Sequence, residues 1–238
     1  MSPLEGFTTL FMWRQHMGMK FLKFLVVILV SAAWLVPNAS AAQRDDHARH
    51  AVTKAAHGGA AAELRTSMRK LWTDHVVWTR DYIIAAVDDK PDAMAAANRL
   101  MKNQEDIGNA VAVYYGPAAG QQLTSLLKQH ISIAVDLITA AKAGDKTAQK
   151  QADDRWQQNA VDIATFLSTA NPNWPRATLI DMMKMHLSTT TTEVVARLTK
   201  DWNGDVRAYD AVYDHILTMA DALSDGIVKQ FPDKFKAS

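Results

Sequence analysis

The sequence predicts an all-α fold, a six-helix bundle made of three sequential helical hairpins. From residue 62 onward, apolar residues recur at spacings of three and four, which is the period of an amphipathic α-helix. Short stretches rich in Gly, Pro and Asp interrupt this pattern five times and indicate turns. A set of polar residues also returns every 55 or 56 residues, which indicates a repeated hairpin.

The first 41 residues are predicted to be a secretory signal peptide. A short basic start precedes an apolar run over residues 24–36, and small residues lead to a predicted cleavage site after Ala41. The basic start directly follows Met19, which we therefore predict to be the true start of translation. The apolar run is interrupted and shorter than the roughly 20 residues of a membrane span. We expect a periplasmic or secreted protein with no stable membrane insertion after cleavage, a retained anchor being the alternative.

The chain after the signal peptide divides into a leader, one domain and a tail. Residues 42–60 are polar and Ala-rich, and we predict a mobile leader whose three histidines could bind metal loosely. Residues 61–232 are predicted to form a single helical-bundle domain, and residues 233–238 a C-terminal tail. The sequence contains no Cys, so an oxidising compartment would add no disulfide bond.

The six helices are expected where turn signals leave the helical period uninterrupted. "DDKPD" ends the first helix and places Pro91 in the first turn of the second. "YGPAAG" ends the second helix, and "AGDK" ends the third just before Asp145, which can cap the fourth. "ANPNWP" and "DWNGD" separate the last three helices, with Pro175 in the first turn of the fifth. The expected ranges are 62–88, 91–115, 118–142, 146–169, 175–199 and 205–230.

Two series of polar residues carry the repeat. His75, His130 and His186 follow the related runs "LWTDH", "LLKQH" and "MMKMH" on the odd-numbered helices. The even-numbered helices carry Asn103, Asn159 and His215 at spacings of 56 residues, with Asp106 and Asp162 following the two Asn residues. Residues equally far from the turn of a hairpin lie at the same height along its axis. The predicted pairs are therefore His75 with Asn103, His130 with Asn159, and His186 with His215.

Two interpretations of these pairs remain open. The three odd-helix histidines lie within apolar stripes, so we expect them to be buried and to need hydrogen-bond partners. In the first interpretation the pairs are core hydrogen bonds that fix the register of the bundle. In the second they form a site for a transition metal or a small organic or carbohydrate ligand. The candidate metal ligands are His75, His130, His186 and His215, with Asn103, Asn159, Asp106 and Asp162 as further binding residues.

The charge balance and the absence of known catalytic motifs argue against several classes of function for this chain. Lys and Arg number 26 and Asp and Glu 25, and loss of the signal peptide leaves this balance near neutral, so we expect no nucleic-acid partner. The sequence contains no H-E-x-x-H motif, no Gly-rich phosphate loop and no nucleophile elbow, so we predict no catalytic residue. The sequence does not determine the oligomeric state.

The runs "LWTDHVVWTRDYII", "NRLMKNQEDIGNAVAVYYG", "LLKQHISIAVDLITAAKAGD" and "WQQNAVDIATFLSTANPNWP" resemble a family of small, mostly uncharacterised bacterial helical proteins. The resemblance covers roughly residues 66–231 and implies a bacterial source and a helical domain. Some members of that family carry transferred names such as glycosyltransferase or acetylglutamate kinase. The buried polar pairs and the lack of a catalytic motif lead us to expect an exported non-enzymatic binding or structural protein. The alternative is an envelope or periplasmic enzyme acting on glycans or a small metabolite.

Overall fold

The computed structural model describes residues 41–236, with side chains described from residue 59 onward. This part of the chain contains six α-helices, a short 3₁₀ helix and no β-strand, so the predicted all-α six-helix fold is confirmed. The 3₁₀ helix, Pro232–Phe235, lies in the predicted tail. The α-helices are α1 Ala41–Val87, α2 Ala93–Tyr115, α3 Pro117–Ala143, α4 Lys146–Ala170, α5 Arg176–Leu198 and α6 Trp202–Gln230.

The start of α1 differs most from the sequence-based expectation. The first helix was expected from residue 62, whereas α1 already begins at Ala41. Ala is the strongest helix former, and residues 42–60 are rich in it, so the backbone can remain helical through the predicted leader. The mobility of that segment stays a prediction. The predicted signal peptide lies, apart from Ala41, outside the described residues.

The ends around Gly144 and Asp145 follow the expected turn chemistry, whereas Pro91 and Pro175 precede α2 and α5 instead of lying in their first turns. The Asp145 carboxylate accepts a hydrogen bond from the Ala148 backbone N–H at 2.9 Å and so caps α4 as predicted. Gly144 ends α3 with a φ of 71°, a left-handed conformation that glycine adopts without steric penalty. Asp201 caps α6 in the same way as Asp145 caps α4, by accepting from the Gly204 N–H at 2.8 Å.

The six helices close into a ring. Each helix packs against the next one in the chain, and α6 packs back against α1. The first helix also contacts α3 and α5, so the odd-numbered helices approach one another inside the ring. Consecutive helices pack together all along the chain, so packing alone does not divide the ring into three hairpins. The 56-residue repeat stays a prediction.

The level of His75, His130 and His186 divides the bundle into two halves. The upper half lies towards the turns that join α1 to α2, α3 to α4 and α5 to α6. The lower half lies towards the other two turns and the C-terminal 3₁₀ helix. Its interior is a continuous apolar core whose members include Met68, Ile107, Leu123, Ile163, Leu179, Leu223 and Ile227. No helix within residues 41–236 combines the length and apolarity that a membrane crossing requires.

Candidate functional site: a histidine layer beneath an internal pocket

The three odd-helix histidines form one cluster inside the ring. His75, His130 and His186 expose only 2%, 3% and 5% of their surface, so the prediction that they are buried is confirmed. The His186 ring centroid lies 5.7 Å from that of His75 and 5.9 Å from that of His130. The half-buried His215 ring lies 6.5 Å from His186 on its other side. His186 is therefore the centre of a layer of imidazole rings.

The predicted pair between α3 and α4 is confirmed. His130 Nδ1 lies 2.8 Å from Asn159 Oδ1, so the ring N–H donates to the amide oxygen. The Asn159 amide nitrogen in turn donates to the Leu126 carbonyl oxygen at 3.1 Å. Both side chains are buried, and each satisfies the other. The prediction from equal distance to the hairpin turn succeeded here because the side chains of the two residues also face each other between α3 and α4.

The predicted partner of His75 is wrong by one residue. Gln104 Nε2 lies 3.3 Å from His75 Nδ1, whereas the Asn103 amide donates to the Leu71 carbonyl oxygen at 2.9 Å. Asn103 and Gln104 are both fully buried. Counting from the turn predicts the height of a residue but not its rotation about the helix axis, and successive residues differ by about 100°. The longer Gln104 side chain reaches the ring from the neighbouring position.

The predicted pair of His186 with His215 is also wrong. His215 Nε2 lies 2.8 Å from the Met182 carbonyl oxygen, one turn before His186, so the His215 ring is already engaged with backbone. His186 Nδ1 has no hydrogen-bond partner among the residues that the structure describes. The two rings stack with an interplanar angle of 19° instead of bonding edge to edge.

The two aspartates predicted to support the layer lie outside it. Asp106 accepts from Lys102 Nζ at 2.9 Å, and exposed Asp162 accepts from Gln158 Nε2 at 2.8 Å. Each follows its Asn by three residues, which turns the side chain about 60° away from the Asn on the helix surface. A carboxylate in this position stays hydrated or pairs with a surface cation, so neither Asp orients an imidazole.

The three buried histidines are uncharged at neutral pH. Burial lowers the pKa of His75 to about 3, with a further contribution from the nearby His130 ring. Burial likewise lowers the pKa of His130 to about 4, although its hydrogen bond with Asn159 opposes the shift. The pKa of His186 falls well below its usual value because of burial and the surrounding rings. Neutral imidazoles can both donate and accept hydrogen bonds.

The layer does not have the geometry of a metal centre. The clustered rings bring three of the four predicted metal ligands together, yet two of their nitrogens are engaged by Gln104 and Asn159. Within the described side chains, no group of three or more His, Asp or Glu residues is arranged to hold a metal ion. The bundle therefore supports the hydrogen-bonding interpretation of the layer more directly than the metal interpretation.

An internal pocket of about 690 Å³ lies directly above the layer, in the upper half. The three buried histidines form its floor. Its walls come mainly from α1, α3, α4 and α5 and are largely apolar, with Tyr82, Leu100, Ala134, Leu137, Ile138, Val194 and Leu198 among them. Along α3 the wall runs from Ile131 to Ala141, a rise of roughly 15 Å. Below the layer, by contrast, a cavity of only about 30 Å³ remains.

Three side chains that line the pocket carry a buried polar atom without a partner among the described residues. These atoms are Trp156 Nε1, His186 Nδ1 and Thr190 Oγ1, and the three residues are 3%, 5% and 3% exposed. The neighbouring Thr191 also lines the pocket, but its hydroxyl donates to the Leu187 carbonyl oxygen at 2.8 Å. Unpartnered buried polar atoms also occur outside the pocket lining, at Trp72 Nε1 and Gln104 Oε1 among others.

The rim of the pocket is charged. The first turns of α4 contribute Lys146, Gln149, Lys150 and Asp153 to the lining. Lys146 and Lys150 are exposed. Lys150 Nζ also contacts the Asp154 carboxylate at 2.6 Å. The pocket therefore changes from polar but neutral at its floor, through an apolar middle, to a mainly basic rim.

Sequence-based reasoning missed most of this pocket. Thr190 does lie on the same helical stripe as His186, one turn later, so the pattern contains a signal for its position. Trp156 resembles an ordinary core aromatic, and Lys146 and Lys150 resemble ordinary residues of a solvated helix face. The pocket depends on space left between helices, which a residue pattern does not specify.

Known proteins add nothing to these observations. No family model, curated protein or solved structure matches the chain. The resemblance to small bacterial helical proteins therefore stays a prediction, and the geometry of the pocket is the basis for inferring function.

Proposed function

We propose that this protein is a non-enzymatic binding protein that takes up a small, mostly apolar organic molecule in the upper-half pocket. The observation that carries the proposal is the set of unpartnered polar atoms of Trp156, His186 and Thr190 in the wall of one large apolar pocket. An unsatisfied buried polar group costs about 1–3 kcal/mol. Each of these three atoms has almost no accessible surface of its own, so a ligand would recover that free energy by displacing the wall side chains slightly as it binds.

The size and lining of the pocket support the same proposal. A volume of about 690 Å³ falls within the roughly 300–1,000 Å³ typical of small-molecule sites. Such sites combine an apolar lining with a few placed polar groups, as this pocket does. The ligand would contact aliphatic and aromatic side chains along most of its length and the neutral histidine layer at its inner end.

The side chains that orient the buried histidines favour binding over catalysis. His75 and His130 are oriented by the amides of Gln104 and Asn159, whereas a general base is usually oriented by a carboxylate or tuned towards neutral pH. Glu193, whose pKa burial raises to about 7, contacts Arg80 and is not part of the pocket lining. Export to the periplasm or the medium, as the N-terminal segment predicts, is part of this proposal.

A fluorescence titration tests the proposal. The neutral apolar dye N-phenyl-1-naphthylamine should bind at a single saturable site in the full chain. Ala134 lines the pocket and Ala211 is exposed on α6, so Ala134→Phe fills the pocket and Ala211→Phe is the matched control. We expect Ala134→Phe to weaken dye binding at least tenfold and Ala211→Phe to leave it unchanged, with circular dichroism confirming that both variants are folded.

Absence of saturable dye binding, or equal binding by both variants, would overturn the proposal. The metal alternative is measured separately by titrating zinc into protein without a histidine tag. Stoichiometric zinc binding that is lost in His186→Ala, together with absent dye binding, would favour a metal function instead.

A further inference from the structure

We infer that the ligand is an amphiphile with an uncharged polar group at its buried end, an extended apolar body, and an anionic group at its outer end. This inference rests on the proposed binding function. It concerns the order of chemical groups along the pocket, from the histidine layer to the start of α4.

The floor selects an uncharged group. Among the described residues that line the pocket, the charged side chains are Lys146 and Lys150 at the rim and half-buried Asp153, which lies about one helical turn above Trp156. The floor offers only neutral imidazoles, a hydroxyl and an indole N–H. An ion buried there without a counter-charge would lose its hydration with little compensation. A carboxylate or ammonium group is therefore excluded from the inner end of the pocket.

The unpartnered atoms suit a hydroxyl or carbonyl group. Trp156 Nε1 can only donate a hydrogen bond, whereas Thr190 Oγ1 and His186 Nδ1 can donate or accept. His130 lies between these elements, with its ring centroid 5.2 Å from that of Trp156 and 5.9 Å from that of His186. A hydroxyl seated beside His130 could therefore accept from one neighbour and donate to another.

The rim suits an anion. Lys146 and Lys150 are the charged lining residues at this level, and Asp153 lies deeper in the pocket. Lys150 is held by Asp154 on the outer face of α4, and Lys146 Nζ lies 3.2 Å from Gln149 Oε1. Both ammonium groups have free hydrogen-bonding capacity, since each carries three donors. A carboxylate at the outer end of the ligand would remain partly hydrated while pairing with them.

The distance between floor and rim sets the length of the apolar body. The α3 wall between Ile131 and Ala141 spans roughly 15 Å, which is the length of an extended medium-chain acyl group. The probes chosen to test the inference are therefore dodecanoate, ω-hydroxydodecanoate and the neutral α,ω-dodecanediol. They share one chain length and differ only at their ends.

The first experiment tests the floor by competition with N-phenyl-1-naphthylamine. ω-Hydroxydodecanoate should displace the dye at a concentration about fivefold lower than dodecanoate, the gain expected of one hydrogen bond. Thr190→Val should abolish this difference, because it removes an unpartnered hydroxyl while keeping the shape of the side chain. Thr191→Val is the matched control, since its hydroxyl is bonded within α5. Equal affinity of the two acids, or the same loss in both variants, would overturn the floor assignment.

The second experiment tests the rim. The double variant Lys146→Gln/Lys150→Gln should weaken both acids about threefold at low salt, the effect expected of exposed charge pairs. It should leave dodecanediol unaffected, and Lys184→Gln, an exposed lysine outside the pocket, should change none of the three probes. Equal weakening of the diol and the acids would contradict an anionic outer end. If the dye binds but the probes are not discriminated, only this inference fails; if the dye does not bind, the proposed function fails.

Discussion

The two halves of the bundle use the same six helices for different purposes. Below the histidine layer, one continuous apolar cluster fills the ring and leaves a cavity of about 30 Å³. Above the layer, the pocket takes up about 690 Å³, and the buried apolar residues form a smaller cluster. The comparison indicates that the lower half supplies most of the packing energy, whereas the upper half is less closely packed around the pocket.

The lower half is also closed at its end by polar contacts. The Tyr115 hydroxyl donates to Gln230 Oε1 at 2.8 Å and accepts from the Asn171 amide at 2.9 Å. The Trp174 indole N–H donates to the Ala222 carbonyl oxygen at 3.2 Å. These bonds join the α2–α3 and α4–α5 ends of the bundle to α6.

A buried charge network contributes to holding the upper half together. Arg80 on α1 contacts Glu193 on α5 at 2.7 Å and Asp205 on α6 at 2.9 Å. Glu193 and Asp205 are 1% and 3% exposed, and Arg197 adds a second contact to Asp205 at 3.6 Å. The network fastens α1, α5 and α6 together in the upper half.

The largest expected effect is the loss of stability when a large side chain of the lower core is truncated. Leu123→Ala should reduce the free energy of unfolding by about 3–4 kcal/mol, because Leu123 is 2% exposed in a well-packed cluster. Leu137→Ala, on the half-buried pocket wall of the same helix, should cost only about 1 kcal/mol, since its side chain already borders open space. Urea denaturation measures both, and equal losses would remove the distinction between the halves.

The second largest effect is the loss of stability when the charge network around Arg80 is broken. Arg80→Met should lower the free energy of unfolding by about 2–3 kcal/mol, because it leaves two buried carboxylates without their shared cation. Arg155→Met is the matched control, since its ion pair with Asp136 is exposed, and we expect a change below about 1 kcal/mol. A loss no greater than that of the control would show that the network does not stabilise the upper half.

Much of the scaffold could be predicted from the sequence, because its determinants are local. The helical period and the turn residues gave six helices, and the position of His130 in an apolar stripe predicted both its burial and its bond to Asn159. That Gln104 and not Asn103 contacts His75 could not be predicted, since the contact depends on how α2 is rotated about its axis relative to α1. The same limit applies to the His186–His215 pair.

The pocket could not be predicted for a different reason. It lies between helices above the layer, and half-buried residues that face it, such as Ala134 and Val135, look like normal core residues in the pattern. The sequence indicated that polar residues gather at one level of the bundle. It did not indicate that the interior is filled on one side of that level and empty on the other.

The histidine layer between the halves should make stability depend on pH. The pKa values of His75 and His130 in the folded protein, about 3 and about 4, lie below the unfolded value of about 6.5. The unfolded chain therefore binds more protons in this window, and stability is complete above pH 6.5 and falls as the pH is lowered towards 4. At pH 5, His130 alone should account for a loss of about 2 kcal/mol.

His130→Gln tests this dependence, because it keeps a polar partner for Asn159 but removes the titration. Urea denaturation between pH 7 and pH 5 should show a shallower loss of stability in the variant than in the native protein. Glu193, with its pKa raised to about 7, acts in the opposite direction, gaining stability as the pH falls from 7 towards 4.5. The comparison is therefore made in a Glu193→Gln background, and identical slopes with and without His130 would contradict the prediction.

The smallest expected effect is a gain in stability at the inner end of the upper-half pocket. Thr190→Val replaces a buried hydroxyl that has no partner among the described residues by a methyl group of the same shape. Removing an unsatisfied polar group should raise the free energy of unfolding by about 1 kcal/mol. Thr191→Val removes a hydroxyl bonded to Leu187 and should be neutral or slightly destabilising. In a protein whose upper half is shaped by ligand binding, the variant that gains stability should be the one that loses affinity for a hydroxyl-bearing probe. A Thr190→Val protein that is less stable than Thr191→Val would mean that the hydroxyl is already satisfied within the fold and is not reserved for a ligand.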